Sequence, residues 1–249
     1  GPVGGSAPPP PLSEPGSESR GIGAARRWTE RQFRAIGADC GGCLTLALPA
    51  DTVTGRRVPN PTEVVDVLAI QRGATDPDRV IVISGHIDSR VSDVMDFTSD
   101  APGANDDASG VAAVLEAARI LSKHKFPATL VYAVLSGEEQ GLLGGKILAD
   151  YATAQGWKVE ANLNNDIVGN SEGQNGVRDT TRVRVFSEGT KTVETPEQAE
   201  RRRYNGGEVD SSSRNLARFV DGIAERYLAN FDVEMISVSY THLTLPTKA

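Results

Sequence analysis

The stretch VIVISGHID, residues 80–88, decides the fold of this chain. It opens with four β-branched apolar residues, which is typical of a strand that is buried on both faces of a sheet. The apolar run then ends in His86 and Asp88, whose side chains can bind a metal ion or exchange a proton. Because ligands in open α/β sheets bind beyond the carboxyl ends of the strands, this junction predicts a functional site.

Three further segments also carry acidic residues next to a predicted strand or helix. They are APGANDDASG (101–110), LVYAVLSGEEQG (130–141) and NLNNDIVGN (162–170), and they place Asp106, Glu138, Glu139 and Asp166 at the end of a strand or the start of a helix. The distances along the sequence between these residues match the length of a helical crossover between parallel strands. We therefore expect the acidic residues and His86 to converge at one edge of a sheet.

The surrounding pattern alternates strands and helices. The segment 74–79 (ATDPDR) reads as a turn that joins strand 64–73 to strand 80–88 in a hairpin. The remaining predicted elements are a strand at 44–50, a helix at 108–124, a strand at 128–136, a helix at 141–154 and a strand at 159–166. This order predicts an α/β fold, with a mixed and mostly parallel central sheet and helices on both faces in a three-layer αβα arrangement.

The flanking sequence gives the domain organisation. Residues 1–19 are rich in Gly, Pro and Ser and predict a disordered leader, and residues 23–36 carry the spacing of an amphipathic helix. After the acidic motifs we expect a strand at 182–186, a polar loop at 187–210, a helix at 212–229 and a strand at 233–240. We assign residues 20–236 to one domain and interpret 237–249 as a non-native tail.

Composition excludes several classes of function. The chain has 249 residues, a formal net charge of −7 and an isoelectric point near 5.1, without the basic face of a nucleic-acid-binding protein. No apolar run approaches the roughly 18 residues that a membrane span needs. The two cysteines, Cys40 and Cys43, form one CxxC motif, which fits a local disulfide, a redox pair or half of a zinc knuckle. No second CxxC completes a knuckle, so we expect two free thiols or a local disulfide.

An imidazole together with several carboxylates is the ligand set of a catalytic zinc site. The carboxylates exceed what one ion needs, and an aspartate can bridge two ions held ~3.5–4 Å apart. We therefore predict two metal ions. Asp88, two residues beyond His86, can accept a hydrogen bond from the second imidazole nitrogen and so orient the ring. The side chains of Glu138 and Glu139 diverge, so we assign Glu139 as a ligand and Glu138 as the general base.

Each of these residues alone also has a purely structural reading. A lone histidine like His86 is commonly a hydrogen-bonded core residue, and Glu138 and Glu139 alone would suit a solvated loop. Asp107 precedes an alanine-rich helix and is interpreted as its N-terminal cap, although it adjoins a predicted ligand. Asn105 and Ser109 are interpreted as turn residues. Only the combination of motifs favours a metal site.

The series GHIDS, PGANDDASG, SGEEQG and NDIVG resembles the co-catalytic di-zinc aminopeptidase family over residues 64–170. The resemblance implies that His86 and Asp166 bind the first zinc and that Asp106 bridges both ions. It implies that Glu139 binds the second zinc and that Glu138 is the base. It also implies peptide substrates with a free N-terminus, and a periplasmic or secreted location.

One feature departs from that family. Its second zinc is completed by a histidine near the C-terminus, and the candidate here, His242, lies in a segment, SVSYTHLTLPTKA, that does not resemble the family. We expect that His242 is not a native ligand and that the second zinc site is incomplete. The same fold also serves carboxypeptidases, glutaminyl cyclases and metal-free interaction modules, which are the alternative functions.

Overall fold

The computed structural model describes residues 20–173, 175–188, 195–205 and 211–238. The predicted leader, His242 and nearly all of the predicted tail lie outside these ranges. The described residues form two compact units, the first ending at Gly169 and the second beginning at Asn170. The assignment of 20–236 to one domain stays a prediction.

The first unit is built on a five-stranded sheet with the strand order β1-β4-β6-β5-β7. Its strands are β1 (Thr45–Ala47), β4 (Val67–Gln71), β5 (Asp76–His86), β6 (Ala128–Leu135) and β7 (Lys158–Asn164), and its helices are α1 (Gly21–Asp39), α2 (Ala108–Leu121) and α3 (Leu143–Ala154). The strands β5, β6 and β7 pair in parallel, whereas β4 is antiparallel to both β6 and β1. Four strands thus run in one direction, and the predicted mixed, mostly parallel sheet is confirmed.

Helices cover both faces of this sheet. On one face, Phe33 of α1 and Val114 of α2 pack with Tyr132 of β6 in a buried cluster. On the other face, Leu148 of α3 packs with Val82 and Val131. Every residue of β6 is buried, as expected for the central strand of a three-layer fold. The predicted αβα layering is therefore confirmed.

The predicted hairpin between 64–73 and 80–88 is wrong. Strand β6 lies between β4 and β5 and pairs with both of them. The short connection passes close to the start of β6, where the amides of Ala74 and Asp76 donate to the carbonyls of Phe126 and Pro127. A Cβ at Gly73 would collide with this backbone, so the close approach requires glycine. A tight connection therefore resembles a hairpin turn although it joins strands that are not neighbours.

The predicted strand 64–73 is divided at Asp66. Its first residues end β3 (Val58–Val65), which forms an antiparallel hairpin with β2 (Ala50–Gly55), and its later residues form β4. Asp66 lies between β3 and β4 and is completely buried. The antiparallel direction of β4 brings this residue to the edge of the sheet where β5 and β6 end.

The N-terminal helix α1 is longer than predicted and ends next to the two cysteines. Its buried positions, Thr29, Phe33 and Gly37, follow the helical repeat. The sulfurs of Cys40 and Cys43 are joined in a disulfide, the local bridge that was one of the expected states. Within the part of the chain that the structure describes, no helix has the length and apolarity of a bilayer span.

The second unit pairs β8 (Arg182–Glu188) in parallel with β9 (Asp232–Val238), and α5 (Ser212–Tyr227) contacts both strands. The predicted polar loop 187–210 is wrong in part, because it contains the helix α4 (Pro196–Asn205). Thr195 and Gln198 exchange side chain to backbone hydrogen bonds in a capping box that precedes this helix. That sequence signal, followed by a proline at the first helical position, would have predicted α4.

Candidate metal centre

Three parallel strands end at the same edge of the central sheet. His86 is the last residue of β5, Glu138 follows β6 by three positions, and Asp166 follows β7 by two. Asp106 comes from the loop between β5 and α2. Gly110 in the first turn of α2 packs so closely that a Cβ there would collide with the Asn165 carbonyl. The start of α2 is thereby brought against the ends of β5 and β7.

His86, Asp106 and Asp166 form the centre of the site. The imidazole Nε2 of His86 lies 3.1 Å from an Asp106 carboxylate oxygen and 4.0 Å from an Asp166 oxygen. The histidine side chain is buried, whereas the two aspartates are half-exposed at 48% and 41%. The group therefore has a fixed nitrogen at its base and two carboxylates that open towards solvent.

Asp88 orients the imidazole from its other side. Nδ1 of His86 lies 3.0 Å from the backbone carbonyl of Asp88 and 3.6 Å from its carboxylate. Burial lowers the pKa of His86, but the hydrogen bond to Asp88 and the negative charges of Asp88, Asp107 and Glu138 together outweigh burial and raise this pKa to about 10. The surrounding carboxylates therefore favour a positive charge at this position.

The Asp107 carboxylate accepts backbone amides rather than facing the centre of the site. It lies within 4.8 Å of His86 and Asp166, as a metal ligand would. However, one carboxylate oxygen accepts the His86 amide at 3.0 Å, and the other accepts the amides of Gly110 at 2.9 Å and Ile167 at 3.3 Å. Asp107 is the N-cap of α2, as predicted, and we place Asp106 rather than Asp107 among the candidate ligands.

The segment after Asp166 is fixed by the loop that carries Asp106. The consecutive amides of Ile167, Val168 and Gly169 donate to the side chains of Asp107, Ser109 and Asn105, respectively. Asn105 and Ser109 are thus more than turn residues, because their hydrogen bonds fix the segment after Asp166 against the loop that carries Asp106. The sequence gives no signal for this contact, which spans about sixty residues.

The paired glutamates lie on a loop whose backbone is held by Asp88. The amides of Glu138 and Glu139 donate to the two oxygens of the Asp88 carboxylate at 3.2 and 3.1 Å. Glu138 is partly buried, and burial raises its pKa, with further increases from Glu139, Asp88 and Asp166 against the lowering effect of His86. A carboxylate with a raised pKa at the rim of such a centre suits a general base.

The Glu139 carboxylate is bound by an arginine. Oε2 of Glu139 lies 2.6 Å from Nε of Arg90, and the Glu139 side chain is only 11% exposed. The backbone carbonyl of Glu139 accepts a second contact from Arg57, which lies at the turn of the β2–β3 hairpin. The assignment of Glu139 as a metal ligand therefore stays a prediction.

Asp66 is a buried carboxyl near the site that sequence reasoning missed. One oxygen accepts the Ser136 amide at 2.9 Å, while the other is buried without a hydrogen-bond partner among the described residues. A Cβ at Gly144 would lie 2.5 Å from this carboxyl, so α3 begins against it. The signal for Asp66 was an acidic residue inside an apolar strand pattern, VVDVLAI.

The donor set fits a metal ion of the zinc class. An oriented imidazole nitrogen and two carboxylates on separate segments are borderline-to-hard ligands, and the outer imidazole nitrogen has the hydrogen-bonded carbonyl typical of metal-ligating histidines. With Glu138 at the rim, the arrangement can hold a metal and accept a proton beside it.

Comparison with known proteins agrees with this geometry. The sequence profile of peptidase family M28 matches residues 66–213, more than half of the chain. A probable zinc metalloprotease of Leptosphaeria maculans is 43% identical over 226 residues, covering 90% of this chain and 52% of that protein. The chain thus spans about half the length of the curated relatives that it matches.

Two solved structures are similar in fold. The LapA aminopeptidase of Legionella pneumophila has a TM-score of 0.56 at 19% identity, covering 85% of this chain and 46% of that chain. A glutaminyl cyclase of an Acidobacteriales bacterium has a TM-score of 0.55 at 18% identity, covering 90% and 67%. At such identities these structures support the fold alone, whereas the profile match shows the family. The chain belongs to peptidase family M28.

Proposed function

We propose that this protein is a zinc-dependent exopeptidase that removes N-terminal residues from peptides. The observation that carries the proposal is the placement of Glu138 on a fixed loop beside the cluster of His86, Asp106 and Asp166. Zinc is the metal that the names of similar proteins state, and the donor set suits it.

The residues have separate duties in this proposal. His86, Asp106 and Asp166 would hold one zinc ion, and Asp106 and Glu139 would contribute to a second site. Bound zinc supplies Lewis acidity to the scissile carbonyl and lowers the pKa of the attacking water. Glu138 accepts the proton from that water and delivers it to the leaving amine. Asp88 positions both His86 and the amides of the two glutamates.

The substrate and the location follow from the same proposal. Peptides with a free N-terminus are the proposed substrates, because zinc ions held by the half-exposed Asp106 and Asp166 would be accessible to a free α-amino group. The disulfide between Cys40 and Cys43 supports an oxidising compartment, which a secreted or periplasmic protein would meet.

The test uses two variants of the same centre. Glu138→Gln removes the base but leaves the ligands, so we expect hydrolysis of aminoacyl p-nitroanilides to fall about 10²- to 10⁴-fold with zinc content unchanged. Asp106→Asn weakens the cluster itself, and we expect zinc content to fall. Zinc is measured by mass spectrometry of the dialysed protein. Undiminished hydrolysis by Glu138→Gln would contradict the base assignment.

Substrate controls separate the related activities. An exopeptidase acting at the N-terminus will not cleave an N-acetylated peptide of the same sequence. Cleavage of that blocked peptide contradicts the aminopeptidase proposal. Cyclisation of a peptide that begins with glutamine would instead identify a glutaminyl cyclase.

A further inference from the structure

Two arginines contact Glu139 at different atoms. Arg90 binds the carboxylate, with Nε 2.6 Å from Oε2, and Arg57 binds the backbone carbonyl, with Nη1 3.0 Å from the oxygen. The Arg90 guanidinium also lies 3.3 and 3.4 Å from the carbonyls of Val91 and Ser92 in its own loop. Arg90 is thus held where it neutralises the Glu139 carboxylate.

The two sides of the centre therefore differ in the group that faces the carboxylates. Asp106 and Asp166 face the imidazole of His86, which is itself a common metal ligand. Glu139 faces the guanidinium of Arg90, which has no acceptor atom and does not bind metals. A metal that binds Glu139 must therefore displace Arg90 from the carboxylate, whereas a metal that binds Asp106 and Asp166 gains the imidazole as a further ligand.

We propose that Arg90 competes with the second metal ion for the Glu139 carboxylate and makes the two metal positions unequal. The inference rests on the proposed function, because it assumes that His86, Asp106 and Asp166 bind zinc. The first zinc fills that group, and the second enters only when Arg90 moves away. The Arg90 side chain is 43% exposed, so it can leave without unfolding the loop.

The size of the effect follows from the exposure of the pair. Glu139 is nearly buried but Arg90 is not, and solvent screening limits the strength of such half-exposed pairs. We expect loss of the pair to tighten binding of the second zinc by about twofold to fivefold. Binding of the first zinc is expected to stay unchanged.

The experiment titrates the metal-free protein with zinc alone in a calorimeter and compares wild type with four variants, one of which combines Arg90→Gln with Glu139→Gln. Arg90→Gln removes the competing charge. Arg57→Gln is the matched control, because Arg57 also contacts Glu139 but only at its backbone carbonyl. Glu139→Gln removes the second site. Wild type is expected to bind one zinc tightly and the second weakly. Arg90→Gln should gain or tighten the second step, and Arg57→Gln should match wild type.

Each outcome decides a separate point. An Arg90→Gln titration identical to wild type overturns the inference, as does equal tightening by Arg57→Gln. A second step in Arg90→Gln that persists in the double variant with Glu139→Gln also overturns it, because the zinc would then bind elsewhere. Absence of zinc binding in all five chains overturns the proposed function itself.

Discussion

Two loops at the metal centre are stabilised in opposite ways. The aspartate loop, residues 103–110 including the first turn of α2, provides side chains that accept backbone amides from β5, from its own helical turn and from the segment after β7. The glutamate loop, residues 136–141, instead donates its own amides to carboxylates of other segments, Asp66 and Asp88. The side chains of the first loop thus hold the backbone of other segments, whereas side chains of other segments hold the backbone of the second loop.

This difference predicts how substitutions will behave. Removal of an amide-accepting side chain from the aspartate loop leaves the backbone of other segments without a partner, so it should affect folding and metal binding together. A change around the glutamate loop should act through a single carboxyl and leave the His86 cluster in place. Three substitutions, taken from the largest expected effect to the smallest, test this contrast.

The largest effect is expected for Asp107→Ala. This substitution leaves the amides of His86, Gly110 and Ile167 without their acceptor, and the first two are buried. Each buried amide without a partner costs about 1–3 kcal/mol, so we expect the free energy of unfolding to fall by about 3–5 kcal/mol. Urea denaturation of the metal-free protein, followed by circular dichroism, measures this loss.

Asp106→Ala is the matched control for Asp107→Ala. Asp106 is the preceding residue, but its side chain is half-exposed and faces His86 rather than the backbone. Its removal should abolish zinc binding and change the stability of the metal-free protein by less than about 1 kcal/mol. Equal destabilisation by the two substitutions would contradict the separation of ligand and cap.

A middle-sized effect, dependent on pH, is expected for Asp66→Asn. Burial raises the pKa of Asp66 well above its ordinary value, and the charge of Asp88 adds to this, against the lowering hydrogen bond from Ser136. The asparagine amide keeps an oxygen for the Ser136 amide but has no charge. The substitution therefore removes only the titration of this carboxyl.

The direction of the pH effect follows from linkage. A carboxyl with a raised pKa in the folded protein keeps its proton longer than in the unfolded chain, so its contribution to stability is complete below about pH 4. That contribution is lost as the pH rises towards the folded pKa, at up to about 1.4 kcal/mol per pH unit. The stability of Asp66→Asn relative to wild type should thus increase from pH 4 to pH 7. A constant difference would show that Asp66 does not titrate in this range.

The sequence was sufficient to place the candidate ligands at one edge of the sheet and insufficient for the residues that hold them. The positions of His86 and Asp166 could be predicted because they end or closely follow parallel strands, and parallel strands end at one edge of a sheet. The contacts of Arg90 and Ser109 could not, because each depends on a loop path that local patterns do not encode. The misplaced hairpin has the same origin, since the position of β6 between β4 and β5 is a long-range choice.

The smallest effect is expected for Ser109→Ala. The Ser109 hydroxyl accepts the Val168 amide at 3.0 Å and donates to the Asn105 carbonyl at 2.6 Å, but Val168 is 45% exposed, so water can replace the lost acceptor. We expect a stability loss of about 0.5–1 kcal/mol and a few-fold weaker affinity for zinc, because Asp166 loses one of its backbone supports.

Ser211→Ala is the matched control for Ser109→Ala. Ser211 also accepts an amide, that of Arg214, and donates to a carbonyl, that of Glu188, but it caps α5 in the second unit. Its loss should cost about 1 kcal/mol and leave zinc affinity unchanged. If both serine variants bind zinc as tightly as wild type, the aspartate loop stabilises the fold without positioning Asp166. Weaker zinc binding in Ser109→Ala alone would show that Ser109 helps to hold Asp166 in the position that zinc binding needs.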